Sequence, residues 1–172
     1  GKAAFDAADP QNAVEIDKLR RQIEDIAHSD GASIQSLSLE GTSSPDGKYA
    51  SNLRLAEKRM AFASRYIRSH IPSDLSRDVT FRSSAKVAPW SAVVSLMKAD
   101  SLKAETEQME NILNRTKNMD AQGVAIRRLQ FYRSLLEAKY LPQLRRVDYT
   151  LNYSIFRSLT HDEIKQLYDK DY

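Results

Sequence analysis

The residues best placed to do chemistry flank a turn: Asp46 within Ser44-Pro45-Asp46-Gly47, and Arg59 on the segment that follows it. A guanidinium reads a carboxylate through a paired, charge-assisted fork, and a carboxylate or hydroxyl beside it takes a donor such as an ammonium. Thr42 and Ser44 add hydroxyls, Asn52 an amide and Leu55 an apolar side chain to the same stretch. The signals of catalysis are missing. His28, His70 and His161 stand far apart and outside metal-ligand spacing, and the chain has no Gly-rich phosphate loop, nucleophile elbow or paired-carboxylate motif. With 0 Cys there are no disulfides, thiolate chemistry or Cys-based zinc sites. The reading is therefore a non-enzyme, with no cofactor and no metal. Trp90, next to Pro89, reads as a core anchor before a sugar platform.

The elements that must position this loop follow from the pattern around it. Ile34, Leu37 and Leu39 among Ser and Gln predict a partly buried strand over Ser33 to Gly41. Pro45 presets φ for a turn and Gly47 accepts a left-handed backbone, so the strand stops there. Leu53, Ala56, Met60, Ala63 and Ile67 then recur at helical spacing, with Leu55, Phe62 and Tyr66 widening the stripe, and Pro72 ends the helix near His70. A loop opening a helix presents free backbone N–H groups suited to a carboxylate or phosphate. Two plainer roles stand beside these. Arg59 could tie helix to sheet by pairing with Asp46, Glu40 or Asp148, and Asn52 could brace the loop or the helix start.

The order strand, Gly41, small polar loop, then Asn52, Leu55 and Arg59 resembles the ligand loop of OmpA-like (OmpA C-terminal) peptidoglycan-associated domains. That family has Asn, two residues, Leu-Ser, two residues, Arg-Ala; Asn52, Leu55 and Arg59 match, whereas Ala56 and Met60 replace the Ser and the last Ala. The resemblance implies that a loop Asp and the helix Arg hold the zwitterionic end of diaminopimelate in the cell-wall peptide. Counted back from Arg59, that Asp falls on Ser44, which is neutral; Asp46, two residues on, could stand in for it, and Ser44→Asp is expected to strengthen binding. Pro142-Gln143-Leu144-Arg145-Arg146-Val147-Asp148 resembles the start of the family's last strand. The Ser-Pro-Asp-Gly loop, the long insertion and the tail Arg157 to Ile164 are most similar to envelope proteins of Bacteroides-type bacteria.

The remainder of the chain completes an α/β, or α+β sandwich, expectation: a mixed sheet of about four strands with βαβαβ-type topology, helices on one face, and a helical insertion before the last strand. Ala3 to Asp6 predicts a first strand, and Asp9-Pro10 a cap and first-turn proline for a helix carrying Val14, Ile16, Leu19, Ile23 and Ile26 to near His28. Asp78 to Ser84 reads as the next strand, and Pro89-Trp90 opens a helix with Val93, Val94 and Met97. Leu102 to Tyr140 is helical and charged, divided into a pair at Asp120 to Gly123, with Leu129, Leu135 and Leu136 expected to be buried. Val147, Tyr149, Leu151, Tyr153 and Ile155 alternate with polar residues, the clearest strand. Thr160-His161-Asp162-Glu163 is a capping box opening a further helix.

The length of 172 residues, with 41% apolar composition and no low-complexity linker, fits one domain over residues 1–158 with its insertion at about 100–140, followed by a helical extension over 159–172. The +3 charge is the small difference between 26 basic and 23 acidic residues, interspersed, which argues against a nucleic-acid-binding face. No apolar run approaches a membrane span. Gly1 in place of Met suggests a processed chain, and the last helix is expected to continue beyond Tyr172. With the resemblance, these features imply a periplasmic domain that anchors an outer-membrane or surface assembly to peptidoglycan, its membrane attachment lying outside this sequence. The alternative is an OmpA-like scaffold that has lost wall binding and mediates protein-protein interaction in an outer-membrane or fimbrial assembly.

Overall fold

The computed structural model describes residues 10–71, 73, 79–156 and 160–168. Helix α1 (Pro10–Ala27) is followed by strand β1 (Ala32–Ser43), helix α2 (Tyr49–His70), strand β2 (Thr80–Val87) and helix α3 (Trp90–Ala99). Helices α4 (Lys103–Arg115) and α5 (Met119–Ile126), a π-helix (Tyr132–Tyr140) and a single α-turn (Leu141–Gln143) lead to strand β3 (Arg146–Ile155) and helix α6 (His161–Tyr168). The chain is mixed α/β, and its three described strands form one sheet in the order β2-β1-β3. Ala88 N–H donates to the Ser43 carbonyl at 2.8 Å, so the ends of β1 and β2 lie side by side, as a parallel pair joined through a helix requires. Phe156 N–H donates to the Gly31 carbonyl at 2.7 Å, which sets the end of β3 beside the start of β1 and makes that pair antiparallel. The expected first strand at Ala3 to Asp6, and the cap at Asp9, lie outside the described residues.

Two compact units divide the chain. The first comprises Ser38–Tyr66 and Arg82–Thr150 within the described residues, and the second the remainder. In the second, Leu19, Ile23, Leu37 and Ile67 are buried, and Arg68 stacks over the Phe81 ring at 4.5 Å. Exposed ion pairs run along α1, where Arg20 reaches both Asp17 and Glu24, which tells of a solvated face. Val14, placed by its spacing on the apolar stripe, is instead exposed. Tyr153 and Ile155 also depart from the strand's alternation, since they are 49% and 58% exposed although they continue the apolar side of β3. A period of two fixes which side chains share a face; it does not determine how far along the strand that face is covered. The capping box at the tail forms as read: Thr160 N–H donates to Glu163 Oε2 at 2.9 Å and Glu163 N–H returns to Thr160 Oγ1 at 3.4 Å.

In the first unit the core is built by the insertion and α3. Trp90, Val93, Met97, Met109, Ile126, Leu136 and Leu141 are fully buried together, with Leu129 and Leu135 partly buried against them. The expected division at Asp120 to Gly123 is wrong. Those residues lie inside α5, and the chain breaks at Thr116 to Asn118 and again at Arg127 to Phe131, giving three helical pieces instead of a pair. Asn118 explains the first break, because its side chain accepts from Ala121 N–H at 2.9 Å and caps α5. The π-helix was not legible either: Tyr132, Leu136 and Tyr140, its buried residues, recur every four and fit an α-helix equally well. Its end is pinned to the end of α3, where Asp100 Oδ2 accepts from Lys139 Nζ and from Tyr140 Oη, both at 2.6 Å.

Two measurable consequences arise here. Helix α3 ends in a Schellman arrangement, with Leu102 N–H donating to the Met97 carbonyl at 3.1 Å and Ser101 N–H to that of Lys98 at 3.0 Å. The left-handed position is held by Ser101, at φ 62°. Ser101→Gly is therefore expected to stabilise the protein by about 1 kcal/mol, read as a higher urea midpoint at constant slope. The second concerns acid. The hydrogen bond from Lys139, reinforced by that from Tyr140, holds the Asp100 carboxyl below its ordinary value. A depressed folded pKa contributes stability that is complete above the unfolded value of about 4 and is lost as pH falls through the folded value. Asp100→Asn is expected to flatten the acid limb of stability against pH and to leave its slope above pH of about 5 unchanged.

Candidate functional site

The loop between β1 and α2 is shaped by one close approach and one turn. Gly41 lies close against α2, where a Cβ would stand 3.3 Å from Met60 Sδ and 3.5 Å from the Ala56 carbonyl oxygen, so any larger residue would require the Met60 side chain to shift. From Gly41 to Pro45 every residue is buried, which draws the loop into the first unit. Gly47, at φ +105°, turns the chain into α2. Asn52 Nδ2 donates to the Asp46 carbonyl at 2.7 Å, so the Asn52 side chain braces the loop. Thr42 Oγ1 and Ser43 Oγ are buried without a hydrogen-bond partner. Leu55 is partly buried on α2.

The acid and base of the site are arranged around a residue that the sequence reading quoted only as part of a strand. Arg145, just before β3, donates from Nε to Ser44 Oγ at 2.8 Å and from Nη2 to Asp46 Oδ2 at 3.1 Å. Asp46 is thus turned inward, with its other oxygen, Oδ1, buried and unpartnered. Arg59 is partly buried and makes no ion pair among the described residues. The three acids proposed as its partners are used elsewhere: Asp46 by Arg145, Glu40 by Lys86 and Asp148 by Arg146. Burial pushes the Arg59 guanidinium below its ordinary pKa, the positive charge of Arg145 pushes it further, and Asp46 opposes both. Two guanidinium groups therefore share the field of one carboxylate.

The insertion contributes to the same loop. Tyr49 N–H, at the first turn of α2, donates to Asp120 Oδ1 of α5 at 2.7 Å. Helix α2 has no acid of its own in that turn, so Asp120 takes the role of a cap from a distance. Asp120→Ala is expected to cost about 1 kcal/mol, seen as a lower urea midpoint, and to leave the Asn118 cap of α5 intact. Tyr132, at the start of the π-helix, is buried; its phenol is pushed up first by that burial and then by the negative charge of Asp46. The contribution of Asp120, Tyr132 and Arg145 was illegible because they follow the loop by many residues and reach it only through the fold. Arg145-Arg146 before a strand was the one usable signal.

The arrangement is suited to holding an anion, with a partly buried cation that makes no ion pair among the described residues and a second cation half committed to the loop. No group of His, Cys, Asp or Glu among the described residues could hold a metal ion. An open groove of about 440 Å³ lies on the polar side of the sheet, lined by Ser38, Glu40, Arg82, Ser84, Asp148 and Thr150, but its two acids are already paired with Lys86 and Arg146. Among the described residues no helix is long and apolar enough to cross a membrane. Neither a protein-family model nor a curated protein matches this chain.

Proposed function

We propose that this chain is a non-catalytic cell-envelope module with an OmpA-like fold, which anchors an outer-membrane or surface assembly to peptidoglycan in the periplasm by gripping a carboxylate of the wall peptide. The observation that carries this reading is Arg59: a partly buried guanidinium on α2 that makes no ion pair among the described residues and lies in the field of the Arg145–Asp46 contact. The sheet supports it, because β1 lies next to β3 and is joined to β2 through α2, as the four-stranded OmpA-like arrangement requires of these three strands. Asp46 orients Arg145 through their 3.1 Å contact, and Asn52 holds the loop in shape. No step of bond making or breaking is involved.

Calorimetric titration of the protein with diaminopimelate-containing muropeptides tests the reading. Saturable binding that weakens as salt rises is the expected result, because the contact is between charges at a partly exposed site. If no heat of binding is found at millimolar ligand, the wall-anchoring role is lost and the alternative holds: a scaffold for protein partners in an outer-membrane or fimbrial assembly.

A further inference from the structure

The sign and the accessibility of the charges around the loop say which carboxylate the site takes. Arg59 and Arg145 carry two positive charges and Asp46 one negative, so the cluster is cationic. A zwitterionic amino-acid end brings an ammonium together with its carboxylate, and the ammonium needs an accessible acceptor. The loop's own acid offers one oxygen at most: the Asp46 side chain is 27% exposed, its Oδ1 is buried, and Oδ2 is shared with Arg145 Nη2 at 3.1 Å. Ser44, in the position where the resemblance places an Asp, is 5% exposed and its Oγ accepts from Arg145 Nε at 2.8 Å. What faces outward is cation: the Arg145 side chain is 41% exposed and Arg59 is only partly buried. An ammonium here would add a third positive charge, whereas a lone carboxylate bridges two guanidinium groups that otherwise repel one another. Burial first and the charge of Arg145 second hold the Arg59 guanidinium below its ordinary pKa, against the pull of Asp46.

We propose that the site selects a carboxylate whose neighbouring nitrogen is acylated, as at the C-terminus of a peptide, over a free zwitterionic amino-acid end, and that Arg145 sets this preference by occupying the acceptors of the loop. The proposal rests on the carboxylate-binding reading above and names its ligand class. Arg145 acts in two ways, contributing a cation to the carboxylate and withdrawing Ser44 and Asp46 from any ammonium. Both effects favour the same ligand.

The test is a calorimetric comparison of free diaminopimelic acid with its N,N′-diacetyl derivative, on the wild type and on Arg145→Gln, Arg145→Lys and Ser44→Asp, each checked for folding by circular dichroism. The diacetyl compound is expected to bind wild type at least tenfold more tightly than the free diamine. Arg145→Gln should bring that ratio to about one, Arg145→Lys should retain part of it by keeping the charge, and Ser44→Asp should move it toward the free diamine by supplying a second carboxylate. A ratio is insensitive to a general loss of stability. Equal or tighter binding of the free diamine by wild type overturns the proposal and leaves wall binding standing, as does a preference that Arg145→Gln does not change. Failure of wild type to bind either compound overturns both.

Discussion

Arg59→Ala is expected to weaken muropeptide binding by about 1.5–3 kcal/mol, a factor of ten or more, with little change in the urea midpoint. The two halves of that expectation have one cause. Arg59 makes no ion pair among the described residues, so its removal breaks none, and in the unliganded protein the repulsion from Arg145 and the attraction of Asp46 oppose one another. Its energetic role is then confined to the bound state, where a charge-assisted, paired contact to a carboxylate is lost. Titration calorimetry and urea unfolding on the same variant decide the matter. Loss of stability comparable to the loss of affinity would show that the guanidinium ties α2 into the fold and would sink its ligand role.

Trp90→Ala carries the largest expected effect on stability, about 3–5 kcal/mol, followed by a lowered urea midpoint at unchanged slope. The ring is fully buried among the side chains of α3 and the insertion helices, with Gly123 of α5 beside it. Its Nε1 has no hydrogen-bond partner, so the cost is burial and cavity, with no hydrogen bond lost. Met97 and Met109 line the same core and can shift to fill part of the void, which favours the lower half of the range. Trp90 is the single tryptophan, so circular dichroism is the suitable probe. A loss below about 1 kcal/mol would mean that the insertion packs elsewhere than on α3.

How much of this was legible depended on the range of the signal. The strand from Ser33, the helix from Ala50 to His70, the Pro89-Trp90 helix start and the Thr160 capping box were read from neighbours in sequence, and the structure places β1, α2, α3 and α6 there. The loop was legible for the same reason, since Pro45 and Gly47 carry their backbone preferences with them and Gly47 does adopt a positive φ. The insertion was misread at Asp120 to Gly123 because Gly there looked like a break. Gly123 is instead buried within α5 against Trp90, and the Asn118 cap and the packing of the helix outweigh the low helix propensity of glycine.

The sequence by itself determined which residues could form strands and helices, where the loop between β1 and α2 lies, and that an acid and a guanidinium flank it, because φ preference, periodicity and side-chain charge are properties of short stretches. Only the tertiary structure decided how those charges are spent. It turned Asp46 inward, brought Arg145 onto Ser44, left Arg59 without an ion pair among the described residues and set Asp120 on the first turn of α2. Pairings between residues so far apart in the chain depend on the register of β1 beside β3 and on the packing of the insertion. Both are fixed by burial summed over many side chains, and no local stretch of sequence carries that sum.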